Sequence, residues 1–102
     1  MKILYLQSAQ RDLQRLHSFL NSAGVSQHKS DSIIRELVER LRILTNHPHI
    51  GFNIGGKYGF TTPYRAFLAG SYIAIYEVVG KQVEIRRIYH QKEDYLSTLL
   101  SP

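Results

Sequence analysis

Residues 64 to 90 hold the pattern that most limits what this chain can fold into. Tyr64 to Ala69, Tyr72 to Val79 and Gln82 to His90 are three runs rich in β-branched and aromatic residues, and only Gly70-Ser71 and Gly80-Lys81 separate them. Such side chains suit a pleated, half-buried surface, and a two-residue link containing Gly closes an antiparallel hairpin rather than a parallel crossover. Three strands in an antiparallel meander follow. In the last of them, strict alternation puts Val83, Ile85, Arg87 and Tyr89 on one face and Glu84, Arg86, Ile88 and His90 on the other. Arg87 and His90 then meet in one site only if the strand ends or bulges between them.

Upstream the period changes. Lys2 to Gln7 reads as a short strand, and Ser8 is placed to cap a helix carrying Leu13, Leu16, Leu20 and Ala23, which Gly24 ends. A second helix starts between Ser26 and Asp31, buries Ile33, Ile34, Leu37, Val38, Leu41 and Leu44, and stops at Pro48. Its charges suggest i,i+4 pairs, Asp31 with Arg35 and Glu36 with Arg40, each contributing a few tenths of a kcal/mol on a solvated face. Gly51 to Thr62 reads as a loop or a ragged edge strand. From Asp94, an N-cap candidate, Tyr95, Leu96, Leu99 and Leu100 suggest one or two turns of helix packing back on the body. The order β-α-α-β-β-β-α predicts an α+β fold, with the N-terminal strand and a helical hairpin packed on a small antiparallel sheet. At 102 residues, without repeats, this is one domain over 1–102.

Composition narrows the setting. Apolar residues make up 43% of the chain and there are only three prolines, which argues against disorder away from the ends. No apolar run approaches the roughly 20 residues of a membrane span, and Met1 to Gln7 is too short for a signal core. A soluble cytoplasmic protein is expected, with no membrane partner. The absence of Cys excludes disulfides, thiolate zinc sites and a Cys nucleophile. Lys and Arg outnumber Asp and Glu by 13 to 8, which favours an acidic partner. The excess sits in residues 1–60, with eight basic residues against four acids, while 61–102 has five against four.

Few motifs carry chemistry. Gly55-Gly56-Lys57 lacks the spacing of a phosphate loop and the strand-to-helix context it needs. His47-Pro48-His49 lacks an evident third ligand, so no metal and no cofactor are expected. No Ser-His-Asp or paired-carboxylate arrangement is present. What remains is a basic and hydroxyl-bearing set on the predicted sheet: Lys57, Tyr64, Arg65, Tyr76, Arg86, Arg87, Tyr89, His90, Lys92 and Tyr95. These could hold phosphates while a Tyr or His moves a proton. They could equally be structural, with Arg65 or Arg87 pairing with Glu77 or Glu84 across strands and Asp94, four residues after His90, capping the last helix.

Four stretches carry a family resemblance: Ala9-x-x-Asp12-Leu13, Leu44-x-x-x-Pro48-x-x-Gly51, Tyr64-Arg65-x-x-x-x-Gly70-x-Tyr72-x-x-x-Tyr76 and Val83-x-Ile85-x-Arg87-Ile88-x-His90. In this order and spacing the chain resembles the RelE/ParE superfamily of toxins from bacterial type II toxin–antitoxin modules, which act in growth inhibition and plasmid stabilisation. The resemblance implies the fold read above and a cognate antitoxin, acidic or amphipathic, that wraps the toxin in a hetero-oligomer. RelE-like members are metal-free mRNA interferases acting on the ribosome. The positions of two of their catalytic arginines are Ile73 and Gln91 here. ParE-like members poison DNA gyrase and end the last strand His-Gly-Arg-Arg-Asp, against His90-Gln91-Lys92-Glu93-Asp94 here. The sequence is closer to ParE. A gyrase-directed inhibitor is therefore expected, with Arg86, Arg87, His90, Lys92 and Tyr95 toward the target. The alternative is an endoribonuclease using Arg65, Arg87, His90 and Lys92, and a third reading is a degenerate toxin kept as an interaction module.

Overall fold

The computed structural model describes residues 1–92. The terminal helix expected from Asp94, its cap and the target-side Tyr95 lie outside the described residues. The elements run β1 (Lys2–Tyr5), α1 (Gln7–Ser22), α2 (Gln27–Leu41), a 3-10 turn (Arg42–Thr45), β2 (Phe52–Asn53), α3 (Ile54–Tyr58), β3 (Arg65–Ala69), β4 (Tyr72–Val79) and β5 (Gln82–His90). This is the α+β arrangement the sequence pattern predicts.

The strands form one sheet in the order β1-β5-β4-β3-β2. The meander is as expected: β3 pairs antiparallel with β4, and β4 with β5. Gly70 and Gly80 take φ of 63° and 59° at the first turn positions, which a residue with a Cβ adopts only with strain. The first strand pairs parallel with the N-terminal half of β5, Lys2 opposite Gln82 through Tyr5 opposite Ile85. Beyond Ile85 no strand among the described residues lies beside the outer side of β5. That half-edge is where α1 lies.

Each face of the sheet buries its own core. Toward the helices, Ala74, Tyr76, Val83, Ile85 and Ile88 pack with Leu37, Leu41 and Leu44. On the other face Ala66, Ile73, Ile75 and Tyr89 pack with Ile54 of α3. Full burial of a Leu or Ile side chain contributes about 1.5–3 kcal/mol, so these two layers dominate the stability.

One departure from strict alternation reorders β5. Ile75 lies opposite Arg87 and Tyr76 opposite Ile85, so Arg86 is an extra residue without a partner. A bulge shifts the parity of everything after it. Ile88 therefore joins Val83 and Ile85 in the helix-side core, while Tyr89 goes to the opposite layer. The four-residue faces predicted from alternation hold only up to the bulge. Ser8 explains what stabilises it: its hydroxyl does not cap α1, whose N-cap is Leu6, but donates to the Arg86 carbonyl at 2.6 Å.

Other local expectations change for equally physical reasons. The second helix does start at a Ser26 cap, whose hydroxyl accepts from the Lys29 amide at 3.2 Å. Asp31, however, faces α1 and bonds His17 Nε2 at 2.7 Å instead of pairing with Arg35. Asn21 accepts from the buried Ser30 hydroxyl at 2.8 Å, so a polar ladder ties the helical hairpin. Glu36 and Arg40 pair as expected, at 3.2 Å and exposed. The Gly51 to Thr62 stretch contains the edge strand β2 and also α3, capped by Asn53, whose side chain accepts from the Gly56 amide at 2.7 Å. Gly55-Gly56-Lys57 thus does follow a strand into a helix, contrary to expectation. That helix is a single turn, and the Asn53 side chain already takes the Gly56 amide.

Candidate functional site

The unpaired half of β5 and the outward side of α1 enclose a half-open groove of about 590 Å³. Asp12 builds its base. The carboxylate accepts from Arg87 Nε at 2.8 Å, from Arg87 Nη2 at 3.1 Å and from the Ile88 amide at 2.8 Å. One side chain of α1 thereby satisfies an edge amide that no strand reaches, and fixes a guanidinium bidentately. The Asp12 side chain is only 7% exposed. The Arg87 guanidinium also lies 4.8 Å over the Tyr89 ring.

Above this base the groove is apolar with a cationic rim. Leu16, Phe19 and Tyr72 form its walls, and Arg15, His90 and Lys92 stand around it. Phe19 is 66% exposed, far more than any other aromatic residue of the chain that is described. His90 holds the Tyr72 ring edge-on with centroids 5.5 Å apart, and its Nδ1 accepts the Lys92 amide at 3.1 Å. A second, smaller groove of about 300 Å³ begins on the other side of Tyr72, between Ile33, Leu37 and Arg40 of α2 and the Gly70-Ser71 turn.

The structure sorts the residues singled out from sequence. Arg87, His90 and Lys92 come together in the groove, although Arg87 and His90 have opposite parity and the bulge precedes both. Arg87 reaches Asp12 because the strand edge is open there. Arg86 is elsewhere, bonded to Glu77 at 2.9 Å and near Glu84 at 3.6 Å, with its guanidinium over the Tyr64 ring. The partner of those two carboxylates is thus Arg86, across the strands to Glu77 and along β5 to Glu84, and not Arg65 or Arg87. Arg65 donates from Nη2 to the carbonyls of His49 and Gly51, at 2.9 and 2.6 Å, and latches that loop. Tyr76 is fully buried and its hydroxyl accepts from the Gly51 amide at 3.0 Å. Lys57 lies over Phe52 at 4.5 Å, away from the groove. Among the described residues no group of three or more His, Asp or Glu could hold a metal.

Sequence reasoning missed Asp12, Arg15 and Phe19 as partners of the β5 end. Phe19 follows Leu16 by three residues, at the edge of the same apolar stripe, so helical spacing alone did not mark it as exposed. Nothing local in the sequence linked Asp12 to Arg87, 75 positions away.

Burial pushes the hydroxyls of Tyr72 and Tyr5 above their ordinary value of 10.0. The fold favours the protonated form, so this contribution is complete below pH 10.0 and is lost as pH rises through the raised values. Stability to urea is expected to fall above pH 10, and the double variant Tyr5→Phe, Tyr72→Phe to flatten that fall. An unchanged alkaline slope in the variant would refute the assignment.

The model for the ParE toxin of type II toxin–antitoxin systems (parDE) matches residues 3–95. The chain belongs to the ParE toxin family. A solved chromosomal ParDE toxin–antitoxin system from P. aeruginosa shares this ParE-like fold, with a TM-score of 0.74 at 18% identity over 88% of this chain and 95% of that one. No curated protein matches the sequence significantly. No helix among the described residues is long and apolar enough to cross a membrane.

Proposed function

We propose that this ParE-family chain is a cytoplasmic growth inhibitor, held inactive in a 1:1 unit by a cognate antitoxin, which binds and inhibits DNA gyrase and does not cut RNA. One observation carries the reading: both positions where the resemblance to RelE-like nucleases expects a catalytic arginine are occupied by uncharged residues tied into the fold. Ile73 is 2% exposed and packs in the core behind the sheet. Gln91 staples the β3–β4 turn, its amide donating to the Ser71 carbonyl at 2.9 Å and its side chain to the Gly70 carbonyl. Neither can meet the charge that develops on a cleaving phosphate, where one lost donor typically costs about 3 kcal/mol.

The basic residues that could substitute are largely committed. Arg86 faces two carboxylates and Arg65 holds a loop, so neither is free to cradle a phosphate on the sheet. The groove supports a binding role, with an apolar wall, Arg15 and Lys92 as cations at its rim and His90 beside them. Purified protein is expected to block gyrase supercoiling and to leave mRNA intact in a translating extract. Ribosome-dependent cleavage with unaffected supercoiling would overturn the proposal and return the nuclease reading.

A further inference from the structure

The outer face of the helical hairpin, turned away from the sheet, is basic. On α1 it carries Arg11, Gln14, Arg15 and Ser18, opposite the Ala9, Leu13 and Leu16 stripe that packs inward. On α2, Asp31 marks the side toward α1 through its bond to His17. Arg35 stands one turn further along that side, followed by Glu39 and Arg42. The four arginines are all exposed. Three of them, Arg11, Arg15 and Arg35, have no ion-pair partner among the described residues. Arg35 has an acid one turn away on either side, yet Asp31 bonds His17 at 2.7 Å and Glu39 bonds Arg42 at 3.3 Å. Arg11 and Arg15 stand one turn apart, and like charges at that spacing destabilise a helix. No acid in the first turn of α1 offsets them.

We infer that this face binds the phosphate backbone of duplex DNA, with one phosphate each for Arg11, Arg15 and Arg35. An anion set between Arg11 and Arg15 turns their repulsion into two charge-assisted contacts. Gln14 and Ser18 flank them, and amide and hydroxyl side chains share with arginine the work of holding phosphate oxygens. A protein partner fits the face less well, because such interfaces are anchored by apolar and aromatic side chains. The one large apolar side chain that α1 exposes, Phe19, lines the groove instead. A single strand would need aromatic platforms for its bases, and α1 offers none on this face. Contacts confined to the backbone make the binding independent of sequence. The choice of DNA over an RNA duplex rests on the gyrase reading above, whereas the charge and hydrogen-bonding pattern does not. Arg15 also lines the groove, so the two surfaces adjoin. A chain seated on its target through the groove would hold this face against DNA beside it.

The test is titration of a labelled DNA duplex of arbitrary sequence with the purified full chain, followed by fluorescence anisotropy from about 50 to 200 mM salt. Arg11→Gln with Arg35→Gln removes two contacts at positions that line neither groove. Each phosphate contact contributes a slope of roughly 0.9 to the plot of log affinity against log salt. The double variant is therefore expected to flatten that plot by about 2 units and to weaken binding at the low-salt end on the order of 10-fold. The control Lys29→Gln with Lys81→Gln removes the same charge from the Glu36 side of α2 and from the β4–β5 turn, and is expected to leave the slope unchanged. All four positions are exposed, and equal melting temperatures show that both variants fold. A duplex of unrelated sequence should bind equally well. No binding by the parent, equal flattening by both variants, or strong preference for one sequence would overturn the proposal. Tighter binding of an RNA duplex would overturn the choice of DNA. Unchanged DNA binding by the Arg11, Arg35 variant, with weakened binding to the protein encoded beside the gene, would make the face a protein site instead. The gyrase reading fails separately, if the parent binds DNA through these arginines yet leaves supercoiling untouched.

Discussion

Replacing Gly51 by Ala is expected to lower the melting temperature by at least about 8 °C. A Cβ at position 51 would stand 2.6 Å from the Ala66 carbonyl oxygen, 2.8 Å from the Tyr76 hydroxyl and 2.9 Å from Tyr76 Cε1. Neither neighbour can yield. The carbonyl belongs to β3, inside the sheet, and the Tyr76 ring is fully buried against the helices. Overpacking of this kind costs about 1–3 kcal/mol. Displacing the Gly51 amide from the Tyr76 hydroxyl costs about 1–2 kcal/mol more, because a buried donor is left unmet. The Gly51 carbonyl also accepts from Arg65 at 2.6 Å, so the loop would be freed from the sheet at two points. Thermal unfolding followed by circular dichroism measures the effect. Tyr76→Phe alone should cost about 1–3 kcal/mol through the unmet amide. Combined with Gly51→Ala it should cost less than the sum, since the missing hydroxyl relieves one of the clashes. A Gly51→Ala protein melting within a few degrees of the parent would sink this account.

That site illustrates what the sequence makes legible. The strands β4 and β5 were bounded to the residue by their Gly-containing turns, because hairpin chemistry is local and strict. The second helix was legible in its Leu37, Leu41 spacing, but it ends at Leu41 and not at Pro48, and Leu44 reaches the core from the 3-10 turn that follows. Missed features depended on distant partners. Ser8 looks like a helix cap by its place before a periodic run, yet the carbonyl it serves is 78 positions away at a bulge. The bulge itself leaves no local mark, since Arg86 and Arg87 are equally suited to an exposed strand position. Asp31 precedes Arg35 at ideal helical spacing, and loses to His17 because the two helices pack there. Gly55 shows the same limit: the turn of α3 folds so tightly that a Cβ would meet the Phe60 carbonyl at 2.0 Å, in a stretch whose sequence reads as loop. The candidate site was half legible. The β5 end was singled out, but the α1 wall that turns it into a groove was not.

Asp12→Ala is the other substitution with a large expected effect, about 3–5 kcal/mol, because it removes one partner of a largely buried ion pair. The loss has two parts. Arg87, with a side chain 28% exposed, keeps its position over Tyr89 but loses the carboxylate that offsets its burial. The Ile88 amide loses the acceptor that stands in for a missing strand. Asp12→Asn separates the parts, since its amide oxygen can still accept from Ile88 while the charge is gone, and should fall between parent and Asp12→Ala. A double-mutant cycle of Asp12→Ala with Arg87→Ala is expected to show a coupling of roughly 1–3 kcal/mol. The functional consequence distinguishes Arg87 from Lys92. An Arg87 guanidinium bidentate on Asp12 and stacked on Tyr89 shapes the groove, whereas Lys92 stands exposed at its rim. Arg87→Ala should therefore inhibit growth less in proportion to its lost stability, with activity recovered at low temperature. Lys92→Ala should keep the parent melting temperature and still bind target more weakly. If Arg87→Ala abolishes inhibition with its melting temperature intact, Arg87 acts on the target directly and the division of labour between these two residues is reversed.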